Sequence, residues 1–241
     1  IWIVVLVAVA LVAAAVFSAV SARKATERRR AVVKELEAEV PPVLEQMLSL
    51  FSYSHYVTES ERAEAISRNR DLKDKLQSVI SSKELGQSPI CKDATRLHKA
   101  LAESERIKEE NNRHFVEREL RANSDFFEHV MKYPLNDQQR ESIVSLEDNV
   151  LVIASAGSGK TMTSVGKVRY LIDKQGVDPS RILLITFTRK AAESLSERLG
   201  EKDLTCVTFH KLALNIIAKV TGEKPTIAGS DFSAVVYHDL M

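Results

Sequence analysis

The hydrophobic positions of this 241-residue chain follow three different patterns in succession. Residues 1–20 are apolar at every position except Ser18. From about residue 25 to 131 charged residues dominate, and apolar residues recur at helical spacing. Beyond residue 135 short β-branched runs alternate with segments of helical periodicity, which is typical of an α/β sheet. These patterns predict three parts, at residues 1–22, 23–132 and 133–241.

The first apolar run is long enough to predict a transmembrane helix, since twenty helical residues at about 1.5 Å each span a bilayer core of roughly 30 Å. Trp2 suits a membrane interface, and the basic cluster between Arg23 and Arg30 predicts a cytoplasmic location for the residues that follow. We therefore expect a single-pass protein of the inner (cytoplasmic) membrane. A secretory signal peptide cleaved near Ala22 and a buried core helix are the alternatives.

The charged middle part is predicted to be helical. Its first stretch has a coiled-coil-like spacing of apolar residues, at Val33, Leu36, Val40, Val43, Met47 and Leu50. Pro41 and Pro42 are expected to interrupt that stretch. Two further helices are predicted at about 60–85 and 92–131, and polar residues (Ser104, Lys108 and Asn111) break the apolar stripe of the second. A packed helical hairpin is the favoured interpretation, and a solvated spacer is the alternative.

The last part is predicted to be an incomplete parallel α/β sheet of the P-loop NTPase (RecA-like) type. Tyr133 and Pro134 mark the change in composition that precedes it. Its strands are predicted at 150–153, 182–187 and 204–208, and its helices at 160–174, 190–199 and 209–220.

A loop of small residues after the first predicted strand indicates a phosphate site. It consists of Ala154, Ser155, Ala156, Gly157, Ser158 and Gly159. Lys160 and Thr161 follow, so the loop fits the pattern G-x-x-x-x-G-K-[ST] except that Ala154 takes the first place. Loop N–H groups and Lys160 suit a polyphosphate, and the Thr161 hydroxyl suits Mg²⁺. ATP and Mg²⁺ are the predicted cofactors, and a Gly-Ser turn with an incidental lysine is the alternative.

Charge and cysteine content add little to this picture. The net charge is +1, and residues 135–241 hold 13 basic and 13 acidic side chains, so no basic balance indicates nucleic-acid binding. Cys91 and Cys206 have neither a metal-ligand spacing nor a disulfide framework, and they are interpreted as unpaired thiols in a reducing compartment.

Four stretches in a fixed order resemble a known family. They are Leu-Asn-Asp-Gln-Gln-Arg at 135–140, Ala-Ser-Ala-Gly-Ser-Gly-Lys-Thr at 154–161, Thr-Phe-Thr-Arg-Lys-Ala-Ala at 186–192 and Thr-Phe-His at 208–210. Together they are similar to the UvrD/Rep-type superfamily 1 DNA helicases. Within these the chain most resembles the helicase IV group, through Asp-Phe-Phe-Glu at 125–128 and the stretch at 208–217. The resemblance covers about residues 110–230.

The resemblance implies a role for each matching residue. Gln139 matches the glutamine that reads adenine, and Met162 stands where many relatives have an arginine against the base. Phe187, with Thr186 and Thr188 on either side, matches a residue on which a single-stranded base stacks. The matching positions of a second DNA-contacting motif are Thr208 and His210. From the residues alone, Gln139 could be a helix-entry residue, Phe187 a core residue and His210 a structural one.

The resemblance also implies a function: an ATP-dependent DNA helicase that couples ATP hydrolysis to 3′ to 5′ translocation on single-stranded DNA and to duplex unwinding, with a role in DNA repair. Single-stranded and duplex DNA are the expected partners, and no obligate protein partner is indicated. The chain contains no Asp-Glu dipeptide. We therefore expect an N-terminal fragment without the hydrolytic motif or the second motor domain. The alternative is a membrane-tethered scaffold with a regulatory nucleotide-binding domain.

Overall fold

The computed structural model describes residues 2–223 and 225, and the side chains from residue 11 onward. The chain divides into two compact units. Residues 1–124 and 144–151 form the first, which we call the helical unit. Residues 125–143 and 152–241 form the second, which we call the α/β unit. The segment 144–151, which leads into the small-residue loop, thus belongs to the helical unit.

Among the described residues, the helical unit contains six helices, which are α1 (Trp2–Leu50), α2 (Glu59–Arg68), α3 (Arg70–Val79), α4 (Lys83–Gly86), α5 (Cys91–Ala102) and α6 (Ser104–Ala122). The α/β unit follows with α7 (Ser124–His129), α8 (Asp137–Val144), α9 (Lys160–Asp173), a 3₁₀ turn (Pro179–Arg181), β1 (Leu183–Thr186), α10 (Arg189–Leu199), β2 (Thr205–Thr208) and α11 (Phe209–Thr221).

Helix α1 runs from Trp2 to Leu50 with Pro41 and Pro42 inside it, so the prediction that these prolines interrupt the stretch is wrong. A proline removes the hydrogen bond to the carbonyl four residues earlier. Those carbonyls belong to Glu37 and Ala38, which are exposed, so water can satisfy them. The opposite face of α1 is buried in the core, and this packing keeps the helix continuous.

The predicted helices at 60–85 and 92–131 are each divided into shorter helices. Asn69, Glu103 and Asn123 lie at divisions and have a non-helical backbone, with φ between −110° and −106° and ψ between 20° and 22°. At both asparagines the side-chain amide donates to the carbonyl four residues earlier, at 2.8 and 3.1 Å. The side chain thereby competes with the helical backbone bond, which explains these two breaks.

Helices α1, α3, α4 and α5 of the helical unit share one hydrophobic core. It includes Val33, Leu36, Val40, Leu44, Met47, Leu72, Leu76, Val79, Leu85, Ala94, Leu97 and Leu101. Helix α1 packs against α3, α4 and α5 around these side chains. The unit is therefore packed, as the hairpin interpretation expected, rather than a solvated spacer.

No helix within the described residues is long and apolar enough to cross a membrane. The predicted transmembrane helix at 1–22 lies partly outside the described residues, because the first ten side chains are not among them. Side chains 11–20 are all exposed, so the alternative of a buried core helix is wrong for this segment.

The sheet among the described residues consists of β1 and β2, which pair in parallel from Leu183 opposite Thr205 to Thr186 opposite Thr208. The strands and α9 to α11 lie within two residues of their predicted bounds, which confirms the α/β prediction for 160–220. The strand predicted at 150–153 is wrong, because this segment pairs with neither strand. Leu151 is 85% exposed and Ile153 is 89% exposed, so the apolar run is not buried here.

The core of the α/β unit fixes α9 and α10 on the sheet. Its buried side chains are Val165, Val168, Leu199 and Leu204, with Ile182, Leu184 and Leu195 packed against them. Helices α10 and α11 begin directly after β1 and β2, at the edge of the sheet where the strands end, which is where ligands bind in open α/β sheets.

Candidate functional site

The loop at 154–159 depends on two glycines with a left-handed backbone. Gly157 has φ +79° and Gly159 has φ +87°, a region that glycine adopts without strain. A turn closes the loop, since the N–H and hydroxyl of Ser158 both donate to Ser155 O, at 3.3 and 2.7 Å. Gly159 caps α9 without any side-chain hydrogen bond. The first N–H groups of α9 therefore have no side-chain cap, as an anion site at a helix N-terminus requires.

Lys160 bends back over this loop. Its ammonium donates to Ala154 O at 3.1 Å and to Ser155 O at 2.7 Å, and the side chain is exposed. The positive charge is thus held over the loop, where phosphate oxygens can take the place of these carbonyls.

Thr161 follows in the first turn of α9 and is exposed. The described residues contain no group of three or more His, Cys, Asp and Glu that could hold a metal ion. A single hydroxyl nevertheless fits Mg²⁺ that arrives with a nucleotide, because Mg²⁺ keeps several waters and takes its other ligands from phosphates.

Gln139 joins α8 to the loop. Its Oε1 accepts from Asn136 N at 3.0 Å, and Asn136 Oδ1 accepts from Gln139 N at 2.9 Å, which is a reciprocal helix cap. Its Nε2 also donates to Ser158 O at 3.1 Å. Gln139 is therefore a helix-entry residue, and its side-chain amide also contacts the loop 154–159. One N–H and one lone pair of the amide remain for a base.

Helices α8 and α9 approach closely behind the loop. A Cβ at Gly166 would come within 2.7 Å of Ile143 Cδ1, so only glycine fits there without a shift. The Lys167 ammonium donates to Ile143 O at 2.7 Å. Burial lowers the pKa of Lys167 to about 8.

A second group of predicted residues lies where β1 and β2 end. Thr186 and Thr208 are register partners. Thr188 and Thr208 are the N-caps of α10 and α11, and their hydroxyls each accept a backbone N–H at 3.2 Å. Phe187 is 93% exposed, so the core interpretation of this ring is wrong.

A groove of about 1090 Å³ opens beside these residues, between α10, β2 and α11. Phe187, Thr208 and His210 line it, together with two basic residues that sequence reasoning missed, Arg189 and Lys211. Both lie in the first turns of their helices, α10 and α11. Each could have been found from its position in the sequence, three residues after the threonine that ends a strand.

The structure thus gathers the predicted residues into two groups. The loop residues 154–161 and Gln139 form the first, and the strand-end residues 186–188, 208 and 210 form the second. A small-residue loop ending in Gly-Lys-Thr before a helix, in a unit that also contains a parallel sheet, is typical of P-loop nucleotide-binding domains.

Comparison with known proteins indicates a particular family of nucleotide-binding proteins. Residues 135–235 match the family model of the UvrD/REP helicase N-terminal domain. This match confirms that residues 135–235 resemble the UvrD/Rep-type superfamily 1 helicases.

Several helicases are similar to the chain. DNA helicase IV of Escherichia coli K12 is 36% identical over 155 residues, which cover 62% of this chain and 23% of that protein. A probable DNA helicase II homolog of Mycoplasma capricolum is 52% identical over 65 residues, or 27% of this chain and 9% of that protein. DNA helicase II of E. coli K12 is 38% identical over 89 residues, which cover 34% of this chain and 12% of that protein. The chain therefore spans less than a quarter of each of these relatives.

Proposed function

We propose that this chain is part of an ATP-dependent DNA helicase that couples ATP hydrolysis to 3′ to 5′ translocation on single-stranded DNA and to duplex unwinding. The family match and the named relatives support a DNA helicase. The observation that carries the proposal is the exposed ring of Phe187 on a groove of the same unit that carries the P-loop.

The first group of residues would hold the nucleotide. Lys160 would exchange its two carbonyl contacts for phosphate oxygens, and the uncapped N–H groups of α9 would face the same anion. The Thr161 hydroxyl would bind the Mg²⁺, which supplies charge neutralisation at the phosphates. Gln139 would pair with the adenine through the donor and acceptor that its cap leaves free.

The second group would hold single-stranded DNA. Phe187 would stack on a base, which suits a motor that must accept any sequence because every base has a π-face. Arg189, Lys211 and His210 line the same groove and would contact phosphates. Helices α10 and α11 also begin at this groove, and their dipoles favour the binding of phosphates there.

The predicted membrane placement, with the motor in the cytoplasm, has no support beyond the sequence of residues 1–30. We keep it as a proposal that fractionation tests. The full-length protein should stay with membranes in carbonate, and deletion of residues 1–22 should release it. Recovery of the intact protein in the soluble fraction would contradict it. The scaffold alternative has no specific observation in its favour.

The experiment for the nucleotide site is Lys160→Ala in the full-length protein, with Lys202→Ala as the control. Lys202 is an exposed lysine of the same unit that belongs to neither group of residues. We expect Lys160→Ala to lose nearly all ATPase activity, because a neutral side chain cannot stabilise the negative charge on the phosphoryl group during its transfer. Lys202→Ala should keep it. Wild-type ATPase activity in Lys160→Ala would contradict the assignment of residues 154–161 as a nucleotide site.

A further inference from the structure

The N-terminus of α2 is capped in part by two residues that shortly precede the loop 154–159 in the sequence. Thr58 and Glu61 form a reciprocal cap, in which Thr58 Oγ1 accepts from Glu61 N and Glu61 Oε2 accepts from Thr58 N. The remaining two N–H groups of this turn, those of Glu59 and Ser60, donate to the carboxylates of Glu147 and Asp148, at 2.6 and 2.7 Å. Two acidic residues of the segment 144–151 thus complete the cap.

A largely buried lysine, Lys108, links the same segment to helix α2. The Lys108 ammonium donates to Glu59 Oε2 at 2.9 Å and to Glu147 Oε2 at 3.0 Å, with only 13% of its side chain exposed. Burial lowers the pKa of Lys108, but hydrogen bonds to the two glutamates outweigh it and leave the pKa raised. The pKa of Glu147 is lowered, since its bonds from Glu59 N–H and Lys108 outweigh burial. Hydrogen bonds from Arg62 and Lys108 lower the pKa of Glu59 to about 2, so all three side chains are ionised at neutral pH.

Glu147 and Asp148 lie close in sequence to both parts of the proposed nucleotide site. Glu147 lies three residues after the end of α8, the helix that carries Gln139. Asp148 lies six residues before Ala154, where the loop begins. The intervening residues Val150 to Ile153 have no strand partner among the described residues, so the sheet described here does not fix the entry to the loop.

From these contacts we infer that Lys108 and Glu147 are positioning residues for the nucleotide site, because they hold the segment 144–151, from which the chain continues into the loop. Fixing one end of a loop before ligand binding reduces the conformational entropy that binding must remove. Loss of the anchor should therefore weaken nucleotide binding although neither residue touches nucleotide. This inference rests on the proposed function, since it needs the loop to bind ATP.

The test measures the affinity of the full-length protein for a fluorescent ATP analogue with Mg²⁺. Lys108→Met removes the anchor, and Lys75→Met is the matched control. Lys75 also bridges two glutamates inside the helical unit, Glu35 at 3.1 Å and Glu39 at 2.8 Å, but these belong to α1 and not to the segment 144–151. We expect Lys108→Met to bind the analogue about threefold to tenfold more weakly than wild type, and Lys75→Met to bind it normally.

A second variant and a second measurement guard against misfolding. Glu147→Gln keeps the volume of the side chain and should also weaken binding. In wild type, the analogue should slow hydrogen exchange of the Glu59 and Ser60 amides, since coupling between two sites is reciprocal. Normal affinity in both Lys108→Met and Glu147→Gln, or the same loss in Lys75→Met, would overturn the inference. Equal binding by wild type and Lys160→Ala would instead overturn the proposed function.

Discussion

Thr186 and Thr208 lie opposite each other in the parallel register of β1 and β2, at the end of each strand where a helix is about to begin. The two threonines belong to different motifs of the sequence, 22 residues apart. Their pairing brings Phe187, Arg189, His210 and Lys211 to one groove. The register of the sheet therefore places residues of two separate motifs on one groove.

Thr208 should contribute to stability through its cap. Its hydroxyl accepts from Lys211 N, so Thr208→Ala leaves that N–H without its partner. We expect a loss of about 1 kcal/mol in the free energy of unfolding. Thr208→Ser, which keeps the hydroxyl, should lose much less. Thr205→Ala, at the exposed start of the same strand, is the control for strand propensity, and an equal effect there would refute the cap's contribution.

Gly159→Ala should damage the nucleotide site beyond the strain of its backbone. The added Cβ would lie 2.7 Å from Gln139 Nε2, at a position with φ +87°. Gly176→Ala is a matched control, since Gly176 also has a positive φ, +65°, but has open space where the Cβ would be. Both changes should cost roughly 1 to 2 kcal/mol of stability from the backbone alone. Only Gly159→Ala should weaken nucleotide binding, and a similar loss in both variants would contradict the role of Gln139.

Asn112 should be a major source of stability in the helical unit. Its Oδ1 accepts from Val57 N and its Nδ2 donates to Val57 O, both at 2.8 Å, while Val57 is fully buried. Asn112→Ala would leave both backbone groups buried without partners, at a cost of about 2 to 4 kcal/mol. Asn123→Ala, which removes only local contacts of a partly buried asparagine, should cost less than 1 kcal/mol. Denaturant unfolding of both variants checks the difference.

These polar contacts show where sequence reasoning fell short. Ser104, Lys108 and Asn111 looked like interruptions of an apolar stripe, but Ser104 and Asn111 are buried and Lys108 nearly so. Asn111 bonds Tyr53 N and His55 O, more than fifty residues away. Periodicity counts such residues against packing, because it cannot see the distant backbone that satisfies them.

Elements with a strong local signal were predicted well. Helix α9 begins at Lys160 and α11 at Phe209, as expected from the glycine and threonine before them. The strand at 150–153 failed because a strand needs a pairing partner, which is a tertiary property. The exposure of Phe187 could not be read from the residue type either, since phenylalanine is more often buried.

Lys167 should make stability depend on pH. Its pKa is about 8 in the folded chain and 10.5 ordinarily, so between these values the unfolded state binds more protons. Stability should therefore rise with pH through this window, and Lys167 should contribute no slope well below pH 8. We expect a gain of about 1 to 2 kcal/mol between pH 7.5 and 9.5, relative to Lys167→Met. Parallel pH profiles for the two proteins would contradict this.

Phe187 tests the central claim most directly, because a DNA motor needs this ring and a nucleotide switch does not. Phe187→Leu in the full-length protein keeps apolar character, and Phe209→Leu is the control, since Phe209 is also exposed but does not line the groove. The measurement is the concentration of single-stranded DNA that half-maximally stimulates ATPase activity. We predict a rise of roughly tenfold to a hundredfold for Phe187→Leu, from the loss of about 1 to 3 kcal/mol of stacking. Nucleotide affinity and melting temperature should stay close to wild type, and Phe209→Leu should match wild type throughout. A Phe187→Leu variant with unchanged DNA dependence would contradict the account.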